Sequence, residues 1–206
     1  MIGVLSMKDK LPIPELKKLI NLELEKFNES VIKTKEHVKK LENNLEFLQW
    51  INTSIKLKEN DAPNVVKKRD IFYCEFGVNI GSEQRYRRPC VVLQNDFGNS
   101  TNDTVIVAPI TTYEHSNIVE KDNEIYVKVL RDGVETLKRM DFYNILVQLE
   151  ERRTQDITGF INIIHMREIS KKRLARRPVA KITNENYVLV QNAIVKNLEF
   201  DIDKIE

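Results

Sequence analysis

The sequence predicts an α+β protein. A long N-terminal coiled-coil helical segment comes first, then a small, strongly curved antiparallel sheet or barrel, then a C-terminal helix. Three observations predict it. Residues 15–58 hold neither Pro nor Gly and repeat apolar residues every three or four positions. After Gly3 no glycine occurs until Gly77, and the others follow at 81, 98, 133 and 159. From Asp70 onward, short β-branched and aromatic runs are separated by Gly, Asn and Asp. A glycine-free first third and a turn-rich remainder read as two parts, residues 1–66 (helical extension and linker) and residues 67–206.

Within the first part, Pro14 stands where a first-turn proline belongs, with Glu15 behind it. The seam runs through Ile20, Leu24, Phe27, Val31, Thr34, Val38, Leu41, Leu45, Leu48, Asn52 and Ile55, nearly five heptads with alternating spacing of three and four. Thr34 and Asn52 are polar seam positions of the kind that set register. As one helix the segment would extend about 65 Å. Heptads of this length also occur in two-helix hairpins, and Asn43-Asn44 could mark a break. Phe47, Trp50 and Ile51 widen the apolar face, so the expected role is homodimerisation. Residues 59–67 read as a linker.

Strands are expected at 70–76 (DIFYCEF), 89–93 (PCVVL), 104–110 (TVIVAPI), 124–130 (EIYVKVL) and 159–169 (GFINIIHMREI). Phe142, Ile145, Leu146 and Leu149 sit at helical spacing, which predicts a helix within 135–156. A final helix over roughly 185–199 is expected to be capped by Asn184.

Composition excludes several classes. Of 206 residues, 33 are Lys or Arg and 31 Asp or Glu, a formal net charge of +2, so any case for nucleic-acid binding must be local. No run approaches the ~20 apolar residues that cross a bilayer. No signal-peptide h-region is read at the N-terminus. The two cysteines, Cys74 and Cys90, make no disulfide framework and read as buried small hydrophobes in a reducing cytoplasm. The three histidines, His37, His115 and His165, show no metal-site spacing, so neither metal nor cofactor is expected.

Five stretches carry a resemblance: KKRDIFYCEFG (67–77), IGSEQRYRRPCVVLQND (80–96), FGN (97–99), TVIVAPIT (104–111) and, more loosely, HMREISKKRL (165–174). In order and spacing they resemble the MazF/PemK toxins of bacterial toxin–antitoxin pairs. The resemblance is tight over residues 67–111, looser to about 177, and absent from 1–66. It implies a homodimeric, SH3-like curved β-barrel. It also implies a sequence-specific endoribonuclease that cuts single-stranded RNA without a metal, leaving a 2′,3′-cyclic phosphate and a 5′-hydroxyl, and that is neutralised by an antitoxin. The family's catalytic Arg, immediately before Pro, falls on Arg88, and its catalytic Thr, at the end of a strand, on Thr111. The RNA-contacting set falls on Ser82, Glu83, Gln84, Arg85, Tyr86, Arg87, Asn99 and His165. His165 stands where the family commonly has Gln. The residue before it, usually Glu, is Ile164 here, a departure that bears on the cleavage sequence.

The residue types suit that chemistry. A guanidinium matches phosphate oxygens bidentately, and a threonine hydroxyl can donate to the same group. Neither is a ready proton acceptor. Either Arg88 has an unusual environment, or Glu83 or a histidine contributes. Around Tyr86, the arginines at 85, 87 and 88 combine phosphate-tracking charge with a ring that can stack an unpaired base. For Arg87 alone a solvated turn is the simpler reading. The later basic run, Lys171, Lys172, Arg173, Arg176, Arg177 and Lys181, suits a solvated face, RNA or an acidic antitoxin alike. Two other readings stand beside the nuclease. One is a non-catalytic RNA-binding or regulatory relative, suggested by Ile164 and by the N-terminal extension. The other is a gyrase poison, disfavoured because the only Trp is Trp50 rather than part of a terminal Trp-Gly-Ile.

Overall fold

Two residues decide how the sheet curves. The computed structural model describes residues 12–33, 38–131 and 133–201. Its larger sheet comprises β1 (Asp70–Glu75), β2 (Arg87–Val92), β3 (Thr104–Thr112), β7 (Asn144–Leu146), β8 (Leu149–Arg152), β9 (Gly159–Asn162), β10 (Arg167–Ser170) and β11 (Ala180–Ile182). The order is β7-β9-β3-β2-β1-β11-β8, with β10 also paired to β3. In a flat sheet the end strands would lie six spacings, roughly 29 Å, apart. Yet only Val147 and Gln148 join β7 to β8, and three Cα steps reach no more than about 11 Å. The sheet must therefore curl until its edges meet, as a small barrel does.

Both faces of this sheet are buried, which explains the unbroken apolar runs. Ile71, Val91, Leu93, Ala108, Ile110, Ile161 and Ile182 share one cluster with Val190 and Ala193 of α4 (Asn184–Leu198). Their strand neighbours Phe72, Cys74, Cys90, Val92, Val105 and Val107 form the other cluster. Cys74 and Cys90 are free, fully buried thiols.

Helix α4 starts one residue before the expected position. Its cap is Thr183 rather than Asn184, with the Thr183 hydroxyl accepting from the Asn186 amide at 3.0 Å. Asn186 is itself fully buried. Its side chain accepts from the Gln148 backbone N–H at 3.0 Å and donates to the Leu146 carbonyl at 2.9 Å. It thereby pins the connection that closes the barrel.

The helix expected within 135–156 is not formed. That stretch supplies β6 (Val134–Arg139), β7 and β8. β6 joins β4 (Ile118–Lys121) and β5 (Glu124–Arg131) in a separate three-stranded meander. Ile145 instead pairs with Ile161 on β9. The helical spacing was coincidental: pairing partners distant in sequence outweighed the local period. Turn chemistry was the better signal. Asp122 and Asn123 both take positive φ, 53° and 61°, as a tight hairpin between β4 and β5 requires. The expected strand at 159–169 is two strands, β9 and β10, separated by a 3₁₀ turn at Ile163–His165.

The chain divides into two compact units, Met1–Asn52 and Thr53–Glu206. Residues 15–58 do not form one helix. α1 is Ile13–Lys33 and α2 is Val38–Glu59, while Thr34 and His37 lie outside the described residues. A continuous helix would separate Phe27 from Phe47 by about 30 Å. Here both line one groove of about 620 Å³, with Leu19, Ile20, Leu24, Leu48 and Ile51. The helices fold back on each other, and much of the seam, including Ile20, Leu24, Leu45 and Ile55, stays exposed. The expected linker packs as well: Pro63 and Val66 are buried, and Val66 joins the cluster around Phe72.

Candidate active site

The loop between β1 and β2 is folded around its own backbone. Tyr86, at φ 63°, donates its N–H to the Gly77 carbonyl at 2.8 Å, and Phe76 donates to the Tyr86 carbonyl at 3.0 Å. Asn79 crosses the loop, its amide donating to the carbonyls of Phe76 at 3.3 Å and Gln84 at 2.5 Å. Arg85 closes on the Gly81 carbonyl at 2.9 Å. Ser82 and Glu83 stand exposed at the tip. The loop thus presents its polar side chains on a fixed frame.

Arg88 is held by that frame. Its Nε donates to the Arg85 carbonyl at 2.9 Å, and its Nη1 donates to Gln84 Oε1. The side chain is half-buried, and burial lowers the guanidinium below its ordinary pKa. Part of the guanidinium is committed to the loop, so the fork is oriented before any ligand arrives. Arg87 points elsewhere: it stacks over the Tyr73 ring, 5.1 Å from its centroid, and lies 3.5 Å from Glu75. Burial raises the Glu75 carboxyl, and Arg87 opposes that rise.

Strand register brings Thr111 to Arg88. β2 and β3 pair Val92 with Val107, Val91 with Ala108 and Cys90 with Pro109. The pairing ends at Cys90 and Pro109, two residues short of Arg88 and Thr111, which the same register carried onward would set across from each other. Both then lie on the face that buries Cys74, Cys90 and Val107, because Arg88 is also paired with Cys74. On its other side Thr111 pairs with Phe160, and Thr112 with Gly159. Gly159 has φ 151°, and a Cβ there would stand 2.1 Å from the Thr111 carbonyl oxygen. Only glycine allows β9 to approach this end of β3 so closely. A glycine next to the paired threonine is a signal the sequence carried, but only the register gives it meaning.

His165 closes the 3₁₀ turn between β9 and β10 and is half-buried. Its imidazole lies below its usual pKa, first because of burial and then because of the Arg88 charge, with Glu83 acting the other way. Gln84, Arg85, Arg88, Thr111, Glu83 and His165 therefore share one neighbourhood, bordered by exposed Tyr86.

Asn99 does not join them. It is buried in α3 (Asp96–Thr101), its amide donating to the Gln94 carbonyl at 2.9 Å. That helix meets the Thr104 end of β3, and seven residue steps along the strand separate Thr104 from Thr111, about 24 Å. Lys171 is buried beside it, its ammonium donating to the Asn99 and Asn102 carbonyls. Arg173 donates to the carbonyls of Glu75 at 3.2 Å and Phe76 at 3.1 Å. Much of the second basic run thus caps backbone carbonyls and does not form a continuous charged face.

Comparison with known proteins shows the family of this domain. The model of the PemK-like, MazF-like toxins of type II toxin–antitoxin systems matches residues 67–198. The chain belongs to this family. Endoribonuclease EndoA of Bacillus subtilis is 45% identical over 47 residues, which is 23% of this chain and 40% of that protein. Endoribonuclease MazF of Staphylococcus saprophyticus is 27% identical over 108 residues, 48% of this chain and 90% of that protein. Among solved structures, MazF from Deinococcus radiodurans aligns with a TM-score of 0.47 at 14% identity, covering 66% of this chain and 98% of that one. The family match begins after α1 and α2.

Proposed function

We propose that the chain is a sequence-specific endoribonuclease toxin acting in the cytoplasm, with single-stranded RNA as substrate and a separate antitoxin as inhibitor. Its cut leaves a 2′,3′-cyclic phosphate and a 5′-hydroxyl and uses no metal. The observation that carries this reading is the guanidinium of Arg88, pre-oriented by the Arg85 carbonyl and Gln84 on a strand whose register with β3 runs toward Thr111. Attack by a ribose 2′-oxygen builds negative charge on the non-bridging phosphoryl oxygens. Donors fixed in advance stabilise that charge without reorganising. Arg88 supplies a permanent charge and Thr111 a neutral donor on the same face. Arg85 tracks the backbone and Tyr86 offers a ring for an unpaired base. Ser82, Glu83 and Gln84 complete the loop rim. Asn99 serves the fold at the far end of β3, and Arg87 is engaged by Tyr73 and Glu75. The dimer of this reading is two copies of the chain, reinforced by the exposed apolar seam of α1 and α2.

The test uses purified protein and a long single-stranded RNA in EDTA, alongside Arg88→Ala and Thr111→Ala. Site-specific cuts with cyclic-phosphate ends, lost in both variants, are expected. RNA binding without cutting by folded dimer would favour the second reading, a non-catalytic RNA-binding relative. Exposed Ile164, where the family usually has Glu, is the observation behind that alternative.

A further inference from the structure

We propose that His165 is the group that takes the proton from the attacking 2′-hydroxyl. The inference rests on the endoribonuclease reading and adds to it the catalytic base that Arg88 and Thr111 do not supply.

The backbone puts these three residues around the same half of β3. β2 runs along one edge of that strand, and its register, carried two residues past Cys90 and Pro109, sets Arg88 toward Thr111. The other edge is shared: β9 pairs with Ile110–Thr112 and β10 with Thr104–Val107. The chain between them cannot pair, because Asn162 to Met166 must pass only Ala108 and Pro109. It bulges as the 3₁₀ turn that ends on His165. Two strand spacings across the sheet, roughly 10 Å, and two to three residues along β3, roughly 7–10 Å, therefore separate the backbone of Arg88 from that of His165, about 12–14 Å in all. A phosphodiester held by Arg88 and Thr111 would sit between them.

The surroundings suit a base. From β2 the Arg88 charge acts on the imidazole, and from the β1–β2 loop the Glu83 carboxylate acts in the opposite sense. β3, against which the turn packs, has no charged residue from Thr104 to Thr112. α4 also packs on this turn, and none of its charged groups acts on the ring. Burial and Arg88 keep the ring neutral near pH 7, with a nitrogen lone pair free to accept. Glu83 then favours the imidazolium that forms. In the step itself, the 2′-oxygen bonds to phosphorus as its proton passes to His165, and the P–O5′ bond breaks. The leaving 5′-oxygen takes a proton from water, and the imidazolium returns its proton to solvent. Arg88 and Thr111 hold the phosphoryl oxygens throughout.

A glutamine side chain can contact a base but accepts no proton at neutral pH. His165→Gln is therefore the informative variant, since it keeps hydrogen bonding and removes basicity. The experiment measures kcat and KM on a short RNA from pH 5 to 9 for wild type, His165→Gln and His165→Ala, with melting temperatures as a folding check. Wild-type kcat should fall on the acidic side, as the imidazole becomes protonated. His165→Gln should lose about 10²-fold or more in kcat with KM changed less than threefold, and should lose the acidic limb. Added imidazole should restore part of the activity of His165→Ala. A folded His165→Gln that keeps both kcat and the acidic limb, or changes KM alone, would overturn the proposal and leave the nuclease reading standing. So would a limb that persists there and vanishes in His115→Gln. A wild type that does not cut would overturn both.

Discussion

Replacing Gly159 by Ala should damage the site through the backbone alone. The added Cβ would meet the Thr111 carbonyl oxygen at 2.1 Å, Thr112 Cα at 2.8 Å and the Thr111 carbonyl carbon at 2.9 Å. Real Cβ contacts do not fall below 3.0 Å, so β9 and β3 must part by roughly 1 Å, a displacement that can cost about 10²-fold in rate at a catalytic group. Overpacking costs about 1–3 kcal/mol, and the unfavourable φ adds about 1–3 kcal/mol. A total near 3 kcal/mol would lower the melting temperature by roughly 6–12 °C. Gly133→Ala is the matched control. Its φ is 79°, but a Cβ there meets nothing within 4 Å. It should lose about 1 kcal/mol from backbone strain and keep full activity. The assay is single-turnover cleavage of a short RNA, at least 15 °C below the lower melting temperature, with both variants melted by circular dichroism. A Gly159→Ala protein with wild-type rate and wild-type melting temperature would refute the claim that this glycine seats Thr111.

Three further outcomes follow from the same geometry. Gln84→Ala removes the side-chain partner of Arg88 but leaves the Arg85 carbonyl, so kcat should fall about tenfold, against 10²–10³-fold for Arg88→Ala. Equal losses in the two would mean that Gln84 does more than orient. Asn186→Ala strands the Gln148 N–H and the Leu146 carbonyl where the barrel closes, at a cost of about 2–4 kcal/mol in urea unfolding with unchanged m. A cost under 0.5 kcal/mol would show that water replaces the amide. Deleting residues 1–59, which spares buried Pro63 and Val66, should raise the dimer dissociation constant at least tenfold while leaving cleavage per dimer unchanged. Faster cleavage with unchanged dimerisation would instead identify α1 and α2 as an inhibitory arm.

The misreadings have a common cause. Strands β1, β2 and β3 were legible because their runs are short, β-branched and bounded by turn residues. α4 was legible to within one residue, although Thr183 rather than Asn184 offers its hydroxyl to Asn186. Residues 135–156 were misread because four apolar positions matched a helical period, while the partners that make strands of them lie on β5, β9 and β11. The long heptad seam was read correctly as helical. That it supplies two helices, α1 and α2, whose residues Phe27 and Phe47 line one groove is not visible in the period. Asn99 and Lys171 look like surface polar residues in a list of types, yet each is buried in backbone hydrogen bonds.

By itself the sequence determined the family, and with it the proposed chemistry and the stretch of chain that would carry it. The Arg-Pro after the Gly-Ser-Glu-Gln loop, the strand ending in Thr111 and the order of the strands are local properties of residue type and spacing. Tertiary structure alone decided which residues meet. Arg88 and Thr111 are 23 positions apart and His165 another 54, and nothing local fixes their separation. The β2–β3 register, the shared edge of β3 and the approach that Gly159 permits do so, because hydrogen-bonded strands convert sequence position into spatial position at a constant spacing.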